Sequence, residues 1–187
     1  MRVFLAMLIL NAFSHVSHAQ VKYYTKTGKI SFYSKAPLEN IDAHNAKAVS
    51  VYDAATGQIE FSVLIKGFEF EKAKMQEHFN ENYLESDKYP KAVFVGSVSN
   101  ANTLNLTVDG VYTVQIKGSL TMHGIAKPQQ TQAVFTVRNG VLSAVSEFTI
   151  NLPDYNIGIP ALVADKISRT VRIVVSVPAY QPLGSKG

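Results

Sequence analysis

The fold is decided by residues 110–128, which read GVYTVQIKGSLTMHGIAKP. Tyr112, Val114, Ile116, Leu120 and Met122 fall on every second position, with Thr113, Gln115, Lys117, Ser119 and Thr121 between them. Side chains alternate across a strand, so the stretch predicts one long strand with an apolar face and a polar face. Gly118 is the single gap in the apolar row, and a glycine there predicts a bend or a close approach of backbone. Asp109-Gly110 reads as a tight hairpin turn leading into the strand, because Gly accepts the positive φ such turns require. His123-Gly124 ends the strand, and Pro128 opens the next one or the turn before it.

The same alternation extends in both directions. Downstream, residues 132–138 and 141–150 predict a hairpin across Asn139-Gly140, and 169–177 predict a last strand with Val171, Ile173, Val175 and Val177 on one face. Between them, 151–166 is a long connection holding Pro153 and Pro160. Pro178, Pro182 and Gly184 predict a frayed tail. Upstream, 104–108 is expected to pair across Asp109-Gly110, and 91–99 is a strand. Residues 58–66, entered by a turn at Thr56-Gly57, put Ile59, Phe61, Val63 and Ile65 on one side. A short strand at 47–52 has Val49 and Val51 on one face. The first strand lies within 21–34, with Ile30 and Phe32 on one face and a turn at Thr27-Gly28; residues 38–45 read as polar and irregular.

Residues 68–86 break the two-residue period. Met75, Phe79 and Tyr83 are spaced by four, one stripe of a helix that ends before Asp87 and Pro90. The total is eight or nine strands joined mostly by short turns, with one inserted helix. No repeated β-helix-β pattern occurs, so the sheet is antiparallel. That many strands close on themselves or split into two sheets. The expectation is an all-β, lipocalin-like, antiparallel eight-stranded barrel, whose interior is either filled or holds one small ligand.

Composition narrows the classes. A hydrophobic share of 47% against 17% charged residues marks a globular chain, and 187 residues suffice for one domain. The chain has no cysteine, which removes disulfides, thiolate nucleophiles and cysteine metal sites together. At the N-terminus, Arg2 precedes an apolar run over 3–13, and Ser17-His18-Ala19 supplies small residues at the −3 and −1 positions of a cleavage site. Residues 1–19 thus read as a secretory signal peptide, with 20–187 as the mature domain in the periplasm or outside the cell. The alternative is an uncleaved anchor, against which the run is short for a bilayer. Nothing later is apolar for long enough to be a transmembrane helix. Removing Arg2 takes the formal charge from +4 to +3. The lysines are spread rather than clustered, so no nucleic-acid surface is expected.

The inventory of reactive groups gives no catalytic site and no metal site. His44, His78 and His123 are the histidines left after cleavage, and none has ligand spacing. No G-x-S-x-G elbow and no glycine-rich phosphate loop is present. His123, beside a glycine at a strand end, reads as a hydrogen-bonded structural residue. What stands out is apolar residues on both faces of strands, as in Ala92-Val93-Phe94-Val95 and Ile173-Val174-Val175. They fit either an ordinary core with a covered outer face or an apolar tunnel for a long lipid tail.

Residues 118–128, GSLTMHGIAKP, resemble the G-x-L-T-x-H-G-V-T-K-P signature of the YceI-like family. Residues 78–95, where a helix gives way to Y-P-x-x-x-F, and Phe148-Thr149-Ile150 with Asp154-Tyr155-Asn156-Ile157 resemble two further elements of that family, in the same order. Leu152 stands where members commonly carry Arg. The resemblance covers about 21–177. It implies a lipocalin-like barrel holding an isoprenoid or other long-chain lipid, exported to the periplasm, often as a homodimer, with no catalytic residue and no cofactor besides the lipid. On this reading Phe61, Val63, Phe79, Tyr83, Leu120, Met122 and Ile157 line the tunnel. Two other readings stay open: a filled barrel serving as a structural or stress-related interaction module, and a hydrolase or isomerase using His123 with a nearby carboxylate.

Overall fold

A computed structural model describes residues 22–183; the signal peptide expected at 1–19 lies outside the described residues. Nine antiparallel strands follow in order: β1 (Lys22–Lys35), β2 (Asn40–Asp53), β3 (Gln58–Leu64), the two-residue β4 (Glu69–Phe70), β5 (Lys91–Val98), β6 (Gly110–Met122), β7 (Ile125–Arg138), β8 (Val141–Asn151) and β9 (Thr170–Leu183). The sheet runs β1-β9-β8-β7-β6-β5-β3-β2, and β1 pairs with β2 to close an eight-stranded barrel. β4 adds to β2 through Ala43↔Phe70 and His44↔Glu69. Closure leaves few free edges, which is how a long antiparallel sheet of this kind avoids sticking to others.

β6 has the span and the facing that its alternation predicts. Val114 is fully buried, Ile116 is buried, and Leu120 and Met122 point the same way. At its gap, Gly118 pairs directly with Gly96 of β5. A Cβ on Gly118 would lie 2.6 Å from the Gly96 Cα and 2.6 Å from the Phe94 ring, and would overlap the Val95 carbonyl oxygen. The two strands therefore meet closely where Phe94 folds its ring over the glycine pair. The β6–β7 and β7–β8 turns put His123-Gly124 and Asn139-Gly140 at positive φ, as tight hairpins require.

Several expectations are corrected. Residues 104–108 are not a strand, and Gly110 does not take positive φ: the positive-φ glycines among the described residues are Gly57, Gly124 and Gly140. The Asp109 carboxylate instead accepts the Asn139 backbone N–H at 3.0 Å, tying the loop to the neighbouring hairpin. Residues 40–45 are not irregular; they open β2, with Ala43 and Asn45 buried and Asn45 donating to the Leu64 carbonyl at 3.0 Å. After Ile41 their inward row is small or polar, Ala43 and then Asn45, which hides the period from a hydrophobicity reading. Val49 faces outward on β2, and Ala48, Ser50 and Tyr52 face in. Thr27-Gly28 is not a turn but an irregularity within a continuous β1, where a Cβ on Gly28 would lie 3.0 Å from the Ala48 carbonyl oxygen. Up to Leu183 the expected frayed tail is the second half of β9, where Tyr180 is buried and Pro182 lies opposite Tyr23; Gly184 lies outside the described residues.

The helix is shorter than its stripe suggests. α1 covers Ala73–His78 and continues as one π-helical turn over Phe79–Tyr83, where Leu84 N–H bonds to the Phe79 carbonyl at 2.9 Å. Phe68 lies before it, and Phe70 is in β4, its N–H taken by the Gln76 side chain at 3.3 Å.

One end of the barrel is packed shut. Tyr52 meets Phe135 edge-on at 5.4 Å, and the Tyr180 hydroxyl and Ser50 Oγ are 2.9 Å apart. Burial, then Tyr23 and Asp53, pushes the Tyr52 hydroxyl up to about 12, and burial pushes Tyr180 up as well. The folded chain then keeps these protons above pH ~10, where the unfolded chain releases them. Stability is full below that pH and falls as pH rises toward 12, by about 1.4 kcal/mol per pH unit for each tyrosine. Denaturant midpoints at pH 9, 10 and 11 are expected to drop across the last step, and Tyr180→Phe is expected to shallow the drop.

Candidate functional site

Above the packed end the barrel is hollow. A cavity of about 380 Å³ is lined by side chains from all eight barrel strands, from α1 and its π turn, and from the connection between β8 and β9. That volume lies within the range of about 300–1,000 Å³ typical of small-molecule sites. Its floor is Ile59, Ile116, Phe135 and Val177, all of which belong to the packed end.

The period of two builds the wall. Each strand turns every second residue inward, and on five of the eight the row that reaches the cavity is mainly apolar: Ile30 and Phe32 on β1; Ile59, Phe61 and Val63 on β3; Ala92 and Phe94 on β5; Ile116, Leu120 and Met122 on β6; Val171, Ile173, Val175 and Val177 on β9. All seven residues expected to line a tunnel do line this one cavity: Phe61, Val63, Phe79, Tyr83, Leu120, Met122 and Ile157. Val63 and Ile157 are buried, and the other five are half-buried.

The roof is where sequence reading was thinner. Phe79 stands at the centre of four rings, 5.4 Å from Phe32, 5.7 Å from Phe68 and 4.9 Å from Phe70. Phe32, Phe68 and Phe70 were not among the expected lining residues, although Phe68 and Phe70 carry the strand spacing i, i+2. The other half of the roof comes from the 152–167 connection through Leu152, Val163 and Ile167. That segment has no periodicity, so only its apolar content could have flagged it. Polar groups on the wall are few. Glu39, His78 and Lys166 sit at the roof beside the β1–β2 turn, where Leu38 N–H bonds to the Asp165 carbonyl at 3.0 Å and Glu39 pairs with Lys72 at 2.8 Å.

His123 is a hydrogen-bonded structural residue, as its place at a strand end suggests. It is 9% exposed, with Nδ1 2.9 Å from the Tyr155 carbonyl oxygen and Nε2 2.8 Å from a Glu85 carboxylate oxygen. It thereby joins the β6–β7 turn to both halves of the roof. A carboxylate does lie beside it, but neither His123 nor Glu85 is on the cavity wall. His44 bonds to Ser31 Oγ at 2.8 Å on the outer surface, and His78 is exposed on α1. Among the described residues no group of three or more His, Asp or Glu gathers as metal ligands would, and no helix is long and apolar enough to cross a membrane.

Comparison with known proteins agrees with this architecture. A polyisoprenoid-binding domain from Saccharophagus degradans, implicated in plant cell wall breakdown, superposes with a TM-score of 0.76 at 16% identity, over 88% of this chain and 99% of that one. BcnA of Burkholderia cenocepacia gives 0.66 at 15% identity, over 82% and 96%. The YCEI protein of Campylobacter jejuni gives 0.53 at 13% identity, over 99% and 100%. At these identities the likeness is one of fold. No curated protein sequence matches the chain. The family model of the YceI-like domain matches residues 12–179, nearly the whole chain, and with the barrel just described it establishes that the chain belongs to the YceI-like family.

Proposed function

We propose that this protein binds and carries a long-chain lipid, an isoprenoid or a fatty amide, in the barrel tunnel without catalysing a reaction on it. The observation that carries the reading is the wall itself: eight strands present apolar side chains to a space of about 380 Å³ that no side chain fills. Water gains little in such a space, and an alkyl or prenyl tail that enters it leaves water at about 25 cal/mol per Å² of apolar surface buried. The polyisoprenoid-binding domain of like fold supports the same ligand class. The proposal includes export, with residues 1–19 removed and the mature chain beginning at Gln20.

The test is mass spectrometry of protein purified from the cell envelope, intact and after organic extraction. A stoichiometric long-chain lipid and an N-terminus at Gln20 are the expected results. A lipid-free extract from folded, monodisperse protein would overturn the carrier reading and favour an interaction module whose interior stays empty. A retained N-terminus would overturn the signal peptide alone.

A further inference from the structure

The barrel wall has an opening in its side. β7 pairs with β6 from Ile125 to Val137, but with β8 only from Ala133 to Arg138. β8 pairs with β9 as far as Asn151, but with β7 only as far as Ser146. Residues 125–132 and 147–151 therefore face each other across a seam with no ladder. Two hydroxyls clip its lower end: Ser146 Oγ donates to the Gln132 carbonyl at 2.7 Å, and Thr131 Oγ1 to the Glu147 carbonyl at 2.9 Å. The turn at Leu152–Tyr155 closes its upper end, held by His123.

Two independent observations mark the seam as open. Pro128 sits within β7 opposite Ser119, and a proline in a strand is tolerated where one side has no ladder partner. The cavity also reaches the outside here: Gln129, Thr131 and Ser146 line it, and so does Val145, which points outward and is 49% exposed.

The geometry points to a side window between β7 and β8 that holds the polar, hydrogen-bonding end of an amphiphile at Gln129, with its tail running into the tunnel past Phe148. This rests on the tunnel's binding a lipid. The rim offers the Gln129 carboxamide, which donates and accepts, and the Thr131 and Ser146 hydroxyl oxygens, which accept while their protons go to the Glu147 and Gln132 carbonyls. Of the acidic and basic groups nearby, Glu39 and Lys166 lie at the β1–β2 turn, three strands away around the barrel, while Lys127 stands exposed within the seam segment of β7, on the row of Gln129 and Thr131. The nearest carboxylate at the seam, Glu147, is turned outward and held by Arg172 at 3.0 Å.

The chain lacks cysteine, so Gln130→Cys/Thr149→Cys introduces a unique pair. Both positions are exposed, and continuing the register from Ala133↔Ser146 sets them opposite each other across the seam. The pair is bridged with a short bis-maleimide, confirmed by intact mass, and loaded with a pyrene-tailed primary amide. Bridging is expected to slow exchange of this probe about tenfold or more relative to the unbridged variant; equal rates overturn the window. Gln129→Leu is expected to weaken the amide probe about three- to tenfold, the loss of one hydrogen bond, while a pyrene-tailed hydrocarbon without a head group stays within about twofold. Equal weakening of both probes overturns the head-group assignment. Failure of the unsubstituted protein to take up either probe overturns the carrier reading itself, a result distinct from uptake at equal rates.

Discussion

Gly118→Val is expected to abolish the native barrel, and Gly118→Ala to destabilise it by about 2–3 kcal/mol, the range of a side chain forced into a packed site. Gly118 and Gly96 pair face to face on β6 and β5. An added Cβ would overlap the Val95 carbonyl oxygen and come within 2.6 Å of the Gly96 Cα. Both are backbone atoms of the partner strand, so relief requires β5 and β6 to separate. The third neighbour, the Phe94 ring at 2.6 Å, is a side chain and can turn away. This divides the cost into a part that can be relieved and a part that cannot. Phe94→Leu in the Gly118→Ala background is expected to recover less than half of the loss. Denaturant unfolding of the two single variants and the double variant measures the coupling. A Gly118→Ala protein within about 0.5 kcal/mol of the unsubstituted one would show that the strands part easily here, contrary to the contact geometry.

Gly118 also shows why much of this fold is legible in the sequence. Where a strand is lined by large apolar residues inside and polar ones outside, the period of two reports its facing directly; β3, β6 and the first half of β9 were readable for that reason. The single missing side chain in β6 marked the close approach, and the ring that fills the gap belongs to the next strand. The misreadings share a cause. In β2 the inward row between Ile41 and Tyr52 is Ala43, Asn45, Ala48 and Ser50, so its facing carries little hydrophobic contrast over most of its length, and the outward Val49 points the wrong way. Asp109-Gly110 has the composition of a hairpin turn, yet Asp109 is committed to Asn139 in the next hairpin, a tertiary bond that no local pattern displays. β9 continues through Pro178 and Pro182 because Tyr180 is anchored against Ser50, 130 residues earlier.

The site divides along the same line. Six of the seven residues, all but Ile157, lie on faces that alternation or helical spacing assigns, and they meet on one wall once the barrel closes; Ile157 entered through the family resemblance. The aromatic cluster around Phe79 depends on β4 folding back against β2, and the roof from 152–167 depends on a loop path; neither has a period to read. The side seam is different again. Its one local trace is Pro128, which is meaningful only once β7 is known to be a long strand lacking a neighbour on one side.

Leu120→Arg is expected to empty the tunnel. Leu120 lies opposite Phe94 on β5, and both side chains face the cavity among Phe61, Ala92 and Met122. A guanidinium there displaces the apolar contacts a tail would make. The roof carboxylate that could neutralise it, Glu39, is already paired with Lys72 at 2.8 Å. Placing an unpaired charge in such a wall costs several kcal/mol, while the same charge in a water-filled cavity costs far less, so the variant shifts the tunnel from lipid to water. Retained lipid is expected to fall more than tenfold, equivalent to about 1.4 kcal/mol or more of binding free energy. Because a buried Arg can also be answered by loss of folding, Val175→Trp serves as a second variant. It fills the same cavity from β9 with an apolar group, leaves no buried charge, and should exclude lipid at undiminished stability. Organic extracts and thermal melts of both proteins decide the matter. Loss of lipid in both, with a melting temperature held or raised in Val175→Trp, is the expected result. Stoichiometric lipid in a folded Leu120→Arg protein would mean that the tail lies elsewhere and that the hollow interior of this barrel is not its binding site.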